Sequence, residues 1–397
     1  MSEWREVSLG DVCELKRGYD LPRGSRGAGS VPVISSSGTT GWHDEAKVKG
    51  PGVVTGRYGT LGQVFYVTED FWPLNTSLYV RDFKGNDRQF VAALLRSLNL
   101  VQYDGAAAVP GLNRNHLHTI PVRIPDPSVQ ASIALIIQAF DDLIENNRRR
   151  VEVLEEMARA VYREWFVKFR YPGHDTVPMV DSALGPIPDG WQVSTCGAEL
   201  NFIGGGTPSK KEPAYWNEGT VPWYTPTDLT KTGWRYAAPP DLRITELGVA
   251  KSSARVFPEG SVLMTSRATL GVLTIATTKA TTNQGFIVVL PDERWNPGFI
   301  YEWLDSNEDA LASLGTGATF KEITKGSFKT FPFVVPAPGV LDSYRAVAAP
   351  LEEQIHVLEQ QMRNLTVLRD QLLPKLVTGQ IEVSTLSLDA LITERVA

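Results

Sequence analysis

Residues 127–168 read PSVQASIALIIQAFDDLIENNRRRVEVLEEMARAVYREWFVK, and the rest of the chain is best understood from this stretch. Apolar or small side chains recur here at alternating gaps of three and four residues, at Ile137, Phe140, Ile144, Asn147, Val151, Leu154, Ala158, Val161 and Trp165. Such spacing is typical of a helix that packs along a narrow heptad stripe. It predicts one long amphipathic helix from Pro127 to about Lys168.

A second stripe with the same spacing lies near the C-terminus, at Tyr344, Val347, Leu351, Ile355, Leu358, Met362, Leu365, Leu368, Leu372 and Leu376. Two narrow apolar stripes bury each other most simply as a coiled coil, and we expect an antiparallel one; the alternative is two unrelated surface helices. Pro350 lies inside the second stripe, where proline removes a backbone donor. It predicts a short helix, a kink, and a main helix from Pro350 to about Leu373, closed by Pro374 and Gly379.

Length and composition limit the possible classes of protein. A chain of 397 residues with 42% hydrophobic content is expected to form two or more globular domains. The two cysteines, Cys13 and Cys196, provide no disulfide or zinc framework, which suits a reducing cytoplasm. No apolar run approaches the length of a membrane span, so we expect a soluble cytoplasmic protein without membrane contact. The net charge of -6 is an average and argues only weakly against nucleic acid.

The two halves of the chain repeat the same order of motifs. WREVSLG at 4–10 is matched by WQVSTCG at 191–197, and IPVRIP at 120–125 by FPFVVP at 331–336. GVVTGRYGTLG at 52–62 is matched by GSVLMTSRATLG at 260–271. We align Arg57 with Arg267, which requires the deletion of one residue in the second copy. The repeat indicates a pseudo-two-fold molecule.

This organisation predicts an α+β fold in which two tandem globular units of mixed α/β structure are each followed by a long helix. The predicted segments are a first globular unit at 1–126, a first spacer helix at 127–170, a Pro/Gly-rich linker at 171–190, a second globular unit at 191–338, a second spacer helix at 339–380, and a C-terminal tail at 381–397.

Four stretches of the chain resemble one known family. They are YREWFVKFRYPG at 162–173, LGPIPDGW at 184–191, GGGTPS at 204–209 with Tyr215 and Trp216 after it, and LLPKLVTGQI at 372–381. Together they resemble the DNA-specificity (S) subunit of type I restriction-modification systems, and the resemblance covers about residues 4–383. The first globular unit departs from the family pattern because Gly18 and Pro22 stand where the second unit has its GGTPS turn.

The resemblance implies a function and a set of partners. Each globular unit would be a target-recognition domain that reads one half of a bipartite, asymmetric sequence in double-stranded DNA. The paired helices would act as a spacer: some 28 helical residues span about 40 Å, comparable with the roughly 35 Å between successive exposures of one groove face. The helices would also dock two modification (methyltransferase) subunits, through which restriction (motor-nuclease) subunits join. The chain itself would be non-catalytic and bind no cofactor, with S-adenosylmethionine, ATP and Mg²⁺ expected only on partner subunits.

DNA contacts require side chains that donate to phosphates or reach base edges. Loops in which such residues stand beside glycines and aromatics supply the candidates. Those of the first half are Arg23, Arg26, Ser35, Ser36, Ser37, Thr39, Arg57, Tyr58, Asn113, Arg114, Asn115 and His116; those of the second half are Lys210, Lys211, Tyr224, Thr225, Thr227, Arg267, Thr319, Lys321 and Lys325. For any single residue the plainer interpretation is a solvated polar loop. We favour Arg57 and Arg267 because the repeat aligns them.

Several motifs with catalytic associations are incomplete. The NPGF sequence at 296–299 differs from the NPPF box of adenine methyltransferases, and no glycine-rich cofactor loop follows a strand. His116 and His118 have no further ligand at metal-binding spacing, so a metal site is not predicted. Two alternatives stay open: a coiled-coil scaffold that does not bind DNA, and a two-domain β-rich hydrolase, for which the sequence locates no pair of carboxylates. Salt-dependent binding to duplex DNA separates both from the main interpretation.

Overall fold

The structure is a computed structural model that describes residues 4–103, 111–317 and 321–383. The chain forms two compact units. Unit 1 consists of Met1–Asn146 and Met362–Ala397, and unit 2 consists of Asn147–Gln361. Two long helices each begin in one unit and end in the other, so each unit contains the beginning of one long helix and the end of the other.

Unit 1 contains short strands and helices followed by the first long helix. Its strands are β1 (Arg5–Ser8), β2 (Glu14–Arg17), β3 (Val31–Ser35), β4 (Gly38–His43), β5 (Gly52–Gly56), β6 (Val64–Val67), β7 (Trp72–Pro73), β8 (Ser77–Asp82) and β9 (Pro121–Ile124). Its helices are α1 (Leu9–Val12), α2 (Arg88–Ser97), α3 (Arg114–His118) and the long α4 (Pro127–Tyr162), which begins at the predicted residue.

Unit 2 repeats this order with additional short elements. Its strands are β10 (Met179–Val180), β11 (Ile187–Pro188), β12 (Gln192–Thr195), β13 (Asn201–Gly204), β14 (Val221–Tyr224), β15 (Tyr236–Ala237), β16 (Arg243–Ile244), β17 (Val262–Thr265), β18 (Leu273–Ala276), β19 (Thr281–Thr282), β20 (Phe286–Leu290) and β21 (Pro332–Val335). Its helices are α5 (Cys196–Glu199), α6 (Pro226–Thr232), α7 (Glu246–Ala250), α8 (Pro297–Ser306), α9 (Glu308–Ser313), α10 (Lys325–Thr330) and the long α11 (Pro338–Val377).

The sheets of the two units have matching topologies, which confirms the repeat. The main sheet of unit 1 has the order β2-β8-β5-β6, and that of unit 2 has the order β13-β20-β17-β18 with β15 added at the edge. A smaller sheet in each unit contains a parallel pair, β3 with β7 and β14 with β19. An antiparallel pair joins the first strand of each unit to the strand before its long helix, β1 with β9 and β12 with β21. The α+β class predicted from the sequence is confirmed.

The long helices pair antiparallel, as the contacts inside unit 2 show. Asn147 Nδ2 donates to Gln361 Oε1 at 3.3 Å, whereas the ring of Tyr162 lies 6.2 Å from that of Tyr344. From the first contact to the second, residue numbers rise along α4 and fall along α11, so the two helices run in opposite directions. The first predicted stripe is buried or half-buried throughout. The predicted coiled coil is therefore confirmed.

Two residues of the second stripe were wrongly placed. Val347 is 44% exposed and Leu368 is 48% exposed. A straight helix turns once every 3.6 residues, so a stripe counted in strict sevens drifts around the helix. The neighbouring residues take their places: Ala348 is buried, and Arg369 is half-buried and donates to Asp141 at 2.7 Å.

The predicted division of the second helix at Pro350 and its predicted end near Leu373 are also wrong, because α11 is one helix through both Pro350 and Pro374 and ends at Val377. An interior proline costs roughly 3 kcal/mol of helix stability. Tyr344 and Ile355, on either side of Pro350, are fully buried. Packing of such side chains outweighs the local cost of the proline. Gly379, at φ +74°, lies just beyond the helix end as predicted.

The first long helix also ends differently from the prediction. The α-helix stops at Tyr162, and a π-helical turn follows at Arg163–Val167. Tyr162 and Phe166 both enter the core of unit 2, where Phe166 lies 5.9 Å from Trp191, ring centroid to ring centroid. Trp4 is the equivalent tryptophan of unit 1. Gly379, just after the end of α11, packs against its ring so closely that a Cβ on this glycine would lie 2.7 Å from it. Each unit thus packs a helix end onto the tryptophan that opens its copy of the repeat.

Candidate nucleic-acid interface

A basic groove opens at the ends of strands β2 and β5 in unit 1. The backbone N–H of Arg57 donates to Thr76 O at 2.8 Å, and the N–H of Leu112 donates to Arg57 O at 2.9 Å. These bonds fix the residues after β5 between β8 and the segment that leads into α3. The resulting cavity of about 370 Å³ is called groove 1 and is lined by Arg17, Arg57, Tyr58, Leu78, Gly111, Leu112, Asn113 and Arg114.

The charges of groove 1 are directed towards solvent. The guanidinium of Arg57 lies 4.4 Å from the ring centroid of Tyr58, a cation–π contact that leaves its N–H groups available. Among the described residues neither Arg57 nor Arg114 forms an ion pair, and Arg17 has only the exposed Asp20 at 3.5 Å. Unpaired guanidinium groups and an exposed aromatic ring are suited to contact with phosphates and bases.

The equivalent region of unit 2 is defined by the same backbone hydrogen bonds. The N–H of Ile323 donates to Ser266 O at 2.9 Å, as Leu112 does to Arg57, and Arg267 forms a bridge with Glu322 as Tyr58 does with Gly111. The strand registers agree, because Gly56 stands opposite Ser77 and Thr265 opposite Phe286. We call the positions equivalent to the lining of groove 1 surface 2; they are Gly204, Ser266, Arg267, Glu322, Thr324 and Lys325.

These registers correct the alignment of Arg57 with Arg267. No deletion is needed: Arg57 corresponds to Ser266, and Tyr58 corresponds to Arg267. The backbone supports this alignment, because Gly59 and Ala268 then share left-handed φ values of +79° and +62°. The sequence alignment matched identical side chains, whereas the structural alignment matches residues that form the same backbone hydrogen bonds.

Arg267 has a partner that the residues of groove 1 lack. Its Nη2 lies 2.8 Å from Glu322 Oε1, and the two side chains are 45% and 38% exposed. The side chain of Lys325 lies over Gly204, and its Nζ is 3.3 Å from the position that a Cβ on Gly204 would occupy. Surface 2 is therefore less positive than groove 1.

The remaining candidates of the first half divide into residues that stabilise their own loops and residues that are exposed. Ser35 and Ser36 are buried in the β3–β4 turn, and Ser35 Oγ donates to Gly38 O at 3.2 Å. Arg26 Nη1 donates to Thr40 O at 2.8 Å, which fixes its loop against β4. Exposed side chains remain available for an external partner at Arg23, Ser37, Thr39, Asn115 and His116.

Asn113 has a local role at the rim of groove 1. It caps α3, its side chain accepting from the N–H of Asn115 at 3.0 Å. The cap sets the direction in which Arg114 leaves the backbone.

The candidates of the second half are similarly divided. Tyr224 is fully buried and its hydroxyl donates to Ala238 O at 3.0 Å, so it belongs to the core. Thr225 caps α6, its Oγ1 donating to Asp228 Oδ2 at 2.7 Å. Lys210, Lys211, Thr227, Lys321 and Lys325 are exposed, and Thr319 lies outside the described residues.

Two exposed residues in unit 1 were missed by the sequence analysis. Arg17 lines groove 1, and Trp42 on β4 is 56% exposed. Arg17 could have been found because it ends a strand immediately before a glycine turn, in the segment aligned with 204–209. Trp42 gives no such signal, since an aromatic residue in a strand is ordinarily assigned to the core.

The side chains of His118 and of the two cysteines are hydrogen-bonded or buried within unit 1 and unit 2. His118 Nε2 accepts from the N–H of Leu15 at 2.9 Å, and burial lowers its pKa. Cys13 and Cys196 are buried, and burial raises the pKa of each thiol to about 12. Within the described residues no cluster of three or more histidine, cysteine, aspartate or glutamate side chains could hold a metal ion. None of the described helices has the length and apolarity that crossing a bilayer requires.

Comparison with known proteins identifies the family. The model of the type I restriction modification DNA specificity domain matches residues 1–156 and again residues 188–339. The chain belongs to the type I restriction-modification DNA-specificity family. The two matched regions are the two copies of the repeat.

Two individual proteins that are similar to this chain belong to the same family. The MjaIX specificity subunit of Methanocaldococcus jannaschii is 33% identical over 176 residues, which cover 44% of this chain and only 40% of that subunit. The HindI specificity subunit of Haemophilus influenzae is 21% identical over 462 residues, covering 96% of this chain and all of the relative. Both are type I restriction enzyme specificity subunits.

A solved structure shares the fold of the whole specificity subunit. The S subunit of a type I restriction-modification system from M. genitalium aligns with a TM-score of 0.60 at 14% identity, covering 95% of this chain and 96% of that one. At this identity the similarity concerns the fold.

Proposed function

We propose that this specificity subunit reads a bipartite, asymmetric target in double-stranded DNA, with one half-site contacted by each unit. Groove 1 is the observation that carries the proposal, because three arginines and an exposed tyrosine converge there around a cavity of about 370 Å³. Phosphates and base edges are the partners that such donors match. The half-sites differ because groove 1 and surface 2 present different side chains.

The experiment that tests this role uses the full chain assembled with its methyltransferase subunits. Arg57→Ala with Arg114→Ala removes two unpaired cations from groove 1, so DNA affinity should fall by about tenfold or more, with a shallower salt dependence. Arg123→Ala is the matched control, an exposed arginine on β9 outside groove 1. Equal DNA affinity of the double variant and the control would remove groove 1 from the interface.

We further propose that the two methyltransferase subunits dock on the long helices. Exposed apolar side chains support this: Val153 and Met157, one turn apart on α4, are 56% and 47% exposed in unit 2, and Val367 on α11 is 54% exposed in unit 1. A solvated helix face normally carries polar residues. Restriction subunits would join through the methyltransferase subunits.

Docking on these faces is tested by co-purification. Met157→Glu places a charge on the face in unit 2 and should reduce the number of methyltransferase subunits retained per chain. Glu156→Gln alters an exposed neighbour on another face and should retain them all. Full retention by Met157→Glu would exclude that face.

The proposal assigns no catalytic step to this chain. The partner subunits would supply S-adenosylmethionine chemistry and ATP-driven translocation with Mg²⁺, while this chain supplies recognition. We place the complex in the cytoplasm, where DNA and these partners are found together.

A further inference from the structure

Groove 1 and surface 2 occupy equivalent places in the fold but carry different charges. Arg17 pairs with Leu78 across the sheet, and Gly204 pairs with Ile287 in the same register, so a glycine stands where groove 1 has Arg17. Ser266 replaces Arg57 by the hydrogen bonds described above. Two of the three arginines of groove 1 therefore have no counterpart in surface 2; only Arg114 has one, Lys325.

An acidic residue appears in surface 2 at a position where groove 1 has a glycine packed against the ring of Tyr58. Glu322 occupies the place of Gly111, and a Cβ at Gly111 would stand 2.3 Å from the ring of Tyr58. Groove 1 therefore accepts a side chain there only if the ring of Tyr58 moves. In surface 2 the carboxylate is present and pairs with Arg267 at 2.8 Å.

The two charge patterns favour different parts of a nucleic acid. Phosphate contact depends on cations that release counterions on binding, and a carboxylate beside the cation opposes it. A glutamate can accept a hydrogen bond from the exocyclic amine of a base, and an arginine donates to guanine O6 and N7. A guanidinium has five N–H donors, so the ion pair with Glu322 leaves others available to a base.

We propose that Glu322 is a specificity-determining residue of unit 2, where it withholds Arg267 from phosphate and directs the Arg267–Glu322 pair to base edges. Groove 1 supplies the opposite property, because its unpaired cations contact the phosphates of the half-site that unit 1 reads. This division of roles rests on the proposed function and deepens it, because it assigns phosphate contact mainly to groove 1 and base discrimination at the equivalent positions to surface 2.

Glu322→Gln is the variant that tests the proposal. Glutamine keeps the size of the side chain and an oxygen for Arg267 but removes the negative charge. The ion pair is partly exposed, so its loss is expected to have little effect on stability. Thermal unfolding of the variant checks that the unit is folded.

The measurement is binding of the full chain, assembled with its methyltransferase subunits, to a random-sequence duplex and to its own modified target, identified by mapping methylated adenines. Glu322→Gln frees one cation, so affinity for the random duplex should rise about fivefold near 0.15 M salt and the salt slope should steepen by about 0.9. The preference for the target over the random duplex should fall.

Arg57→Ser, which introduces the residue of surface 2 into groove 1, is the comparison variant. It should weaken binding to both duplexes about fivefold and make the salt slope shallower by about 0.9, with the target preference unchanged. Unchanged or weaker binding of the random duplex by Glu322→Gln would overturn the proposal. So would loss of target preference in Arg57→Ser alone.

The two levels of the argument fail differently. A wild-type complex that binds the mapped target no better than the random duplex contradicts the proposed function itself. A wild-type complex that prefers its target, with Glu322→Gln and Arg57→Ser behaving alike, contradicts only the assignment of Glu322.

Discussion

In unit 1 neutral amides join the start of α4 to the loop between β8 and α2, whereas in unit 2 buried charges join a later part of α11 to α8 and to the residue before β15. In unit 1 the fully buried Gln130 on α4 accepts from the N–H of Asp87 at 3.0 Å. Its Nε2 donates to Asn86 Oδ1 at 2.9 Å and to Pro125 O at 3.0 Å.

In unit 2 the buried charges are centred on Arg235, which is 1% exposed and precedes β15. Its Nη1 donates to Glu302 Oε1 on α8 at 2.8 Å, and its Nε donates to Glu352 Oε2 on α11 at 2.9 Å. The carboxylate of Glu359 accepts from the N–H groups of Arg235 and Tyr236 at 2.8 and 2.9 Å. The network in unit 2 therefore consists of titratable side chains, whereas Gln130 and Asn86, the bonded amide side chains of unit 1, do not titrate.

The difference means that the two units should respond differently to lost partners and to pH. A neutral network loses hydrogen bonds when one member is removed, but an ionic one leaves a buried charge without compensation. Burial raises the pKa of Glu302 to about 7, against an attraction to Arg235 that lowers it. Glu302 of unit 2 therefore binds a proton at pH values up to about 7, whereas the amides of unit 1 do not titrate.

The largest expected effect is that of Arg235→Met. Methionine fills a similar volume but leaves the carboxylates of Glu302 and Glu352 buried without a cation, so unit 2 should lose about 3 to 5 kcal/mol of stability. Hydrogen exchange of peptides from unit 2 measures this, with peptides of unit 1 as internal reference.

Arg243→Met is the matched control, because Arg243 on β16 is exposed and donates only to the backbone O of Thr220 among the described contacts. It should change stability by less than about 1 kcal/mol. Equal losses for the two variants would show that the ionic cluster does not hold unit 2 together.

The second expected effect is a pH dependence that Glu302→Gln removes. The pKa of Glu302 is raised in the folded state from its ordinary 4.5 to about 7. Its contribution to stability is therefore fully present below pH 4.5 and is lost as the pH rises through 7. Relative to Glu302→Gln, the wild-type unit should lose about 3 kcal/mol over that window.

The comparison between wild type and variant isolates this one group. Glu155, Glu352 and Asp305 also face the cluster, but they are present in both proteins and their effects largely cancel. Arg235 keeps Glu352 as its partner in the variant. Denaturation followed from pH 4.5 to 8 measures the difference, and parallel stability curves would contradict the prediction.

The sequence predicted the features that depend on periodicity and repetition. Both long helices follow from heptads, and the matched openings at Trp4 and Trp191 predict the repeated topology. The continuity of α11 through Pro350 could not be predicted, because it depends on packing. Pro350 was expected to divide the helix in two because its local cost is visible in sequence, whereas the burial of Tyr344 and Ile355 that offsets this cost is not.

The candidate interface was predictable only in outline, for a related reason. Arg57, Tyr58, Asn113 and Arg114 were chosen from their loops, and the fold brings all four into groove 1. Arg235 looks like any charged loop residue in sequence, although it is among the most buried side chains. The partner of a charge is chosen by the tertiary fold, so residues far apart in sequence, such as Arg267 and Glu322, meet without a local signal.

The smallest expected effect, Gln130→Leu, tests the neutral side of the comparison. Leucine approximates the volume but leaves the N–H of Asp87 and the Oδ1 of Asn86 without their partner, so unit 1 should lose about 1 to 3 kcal/mol. The loss should be the same from pH 4.5 to 8, because none of the amides titrates. Asn146→Leu, an exposed amide on the same helix, controls for the change in hydrophobicity. A loss that varied with pH would show that unit 1 also depends on buried ionisation, and the contrast between the units would then lie in the number of charges rather than in their kind.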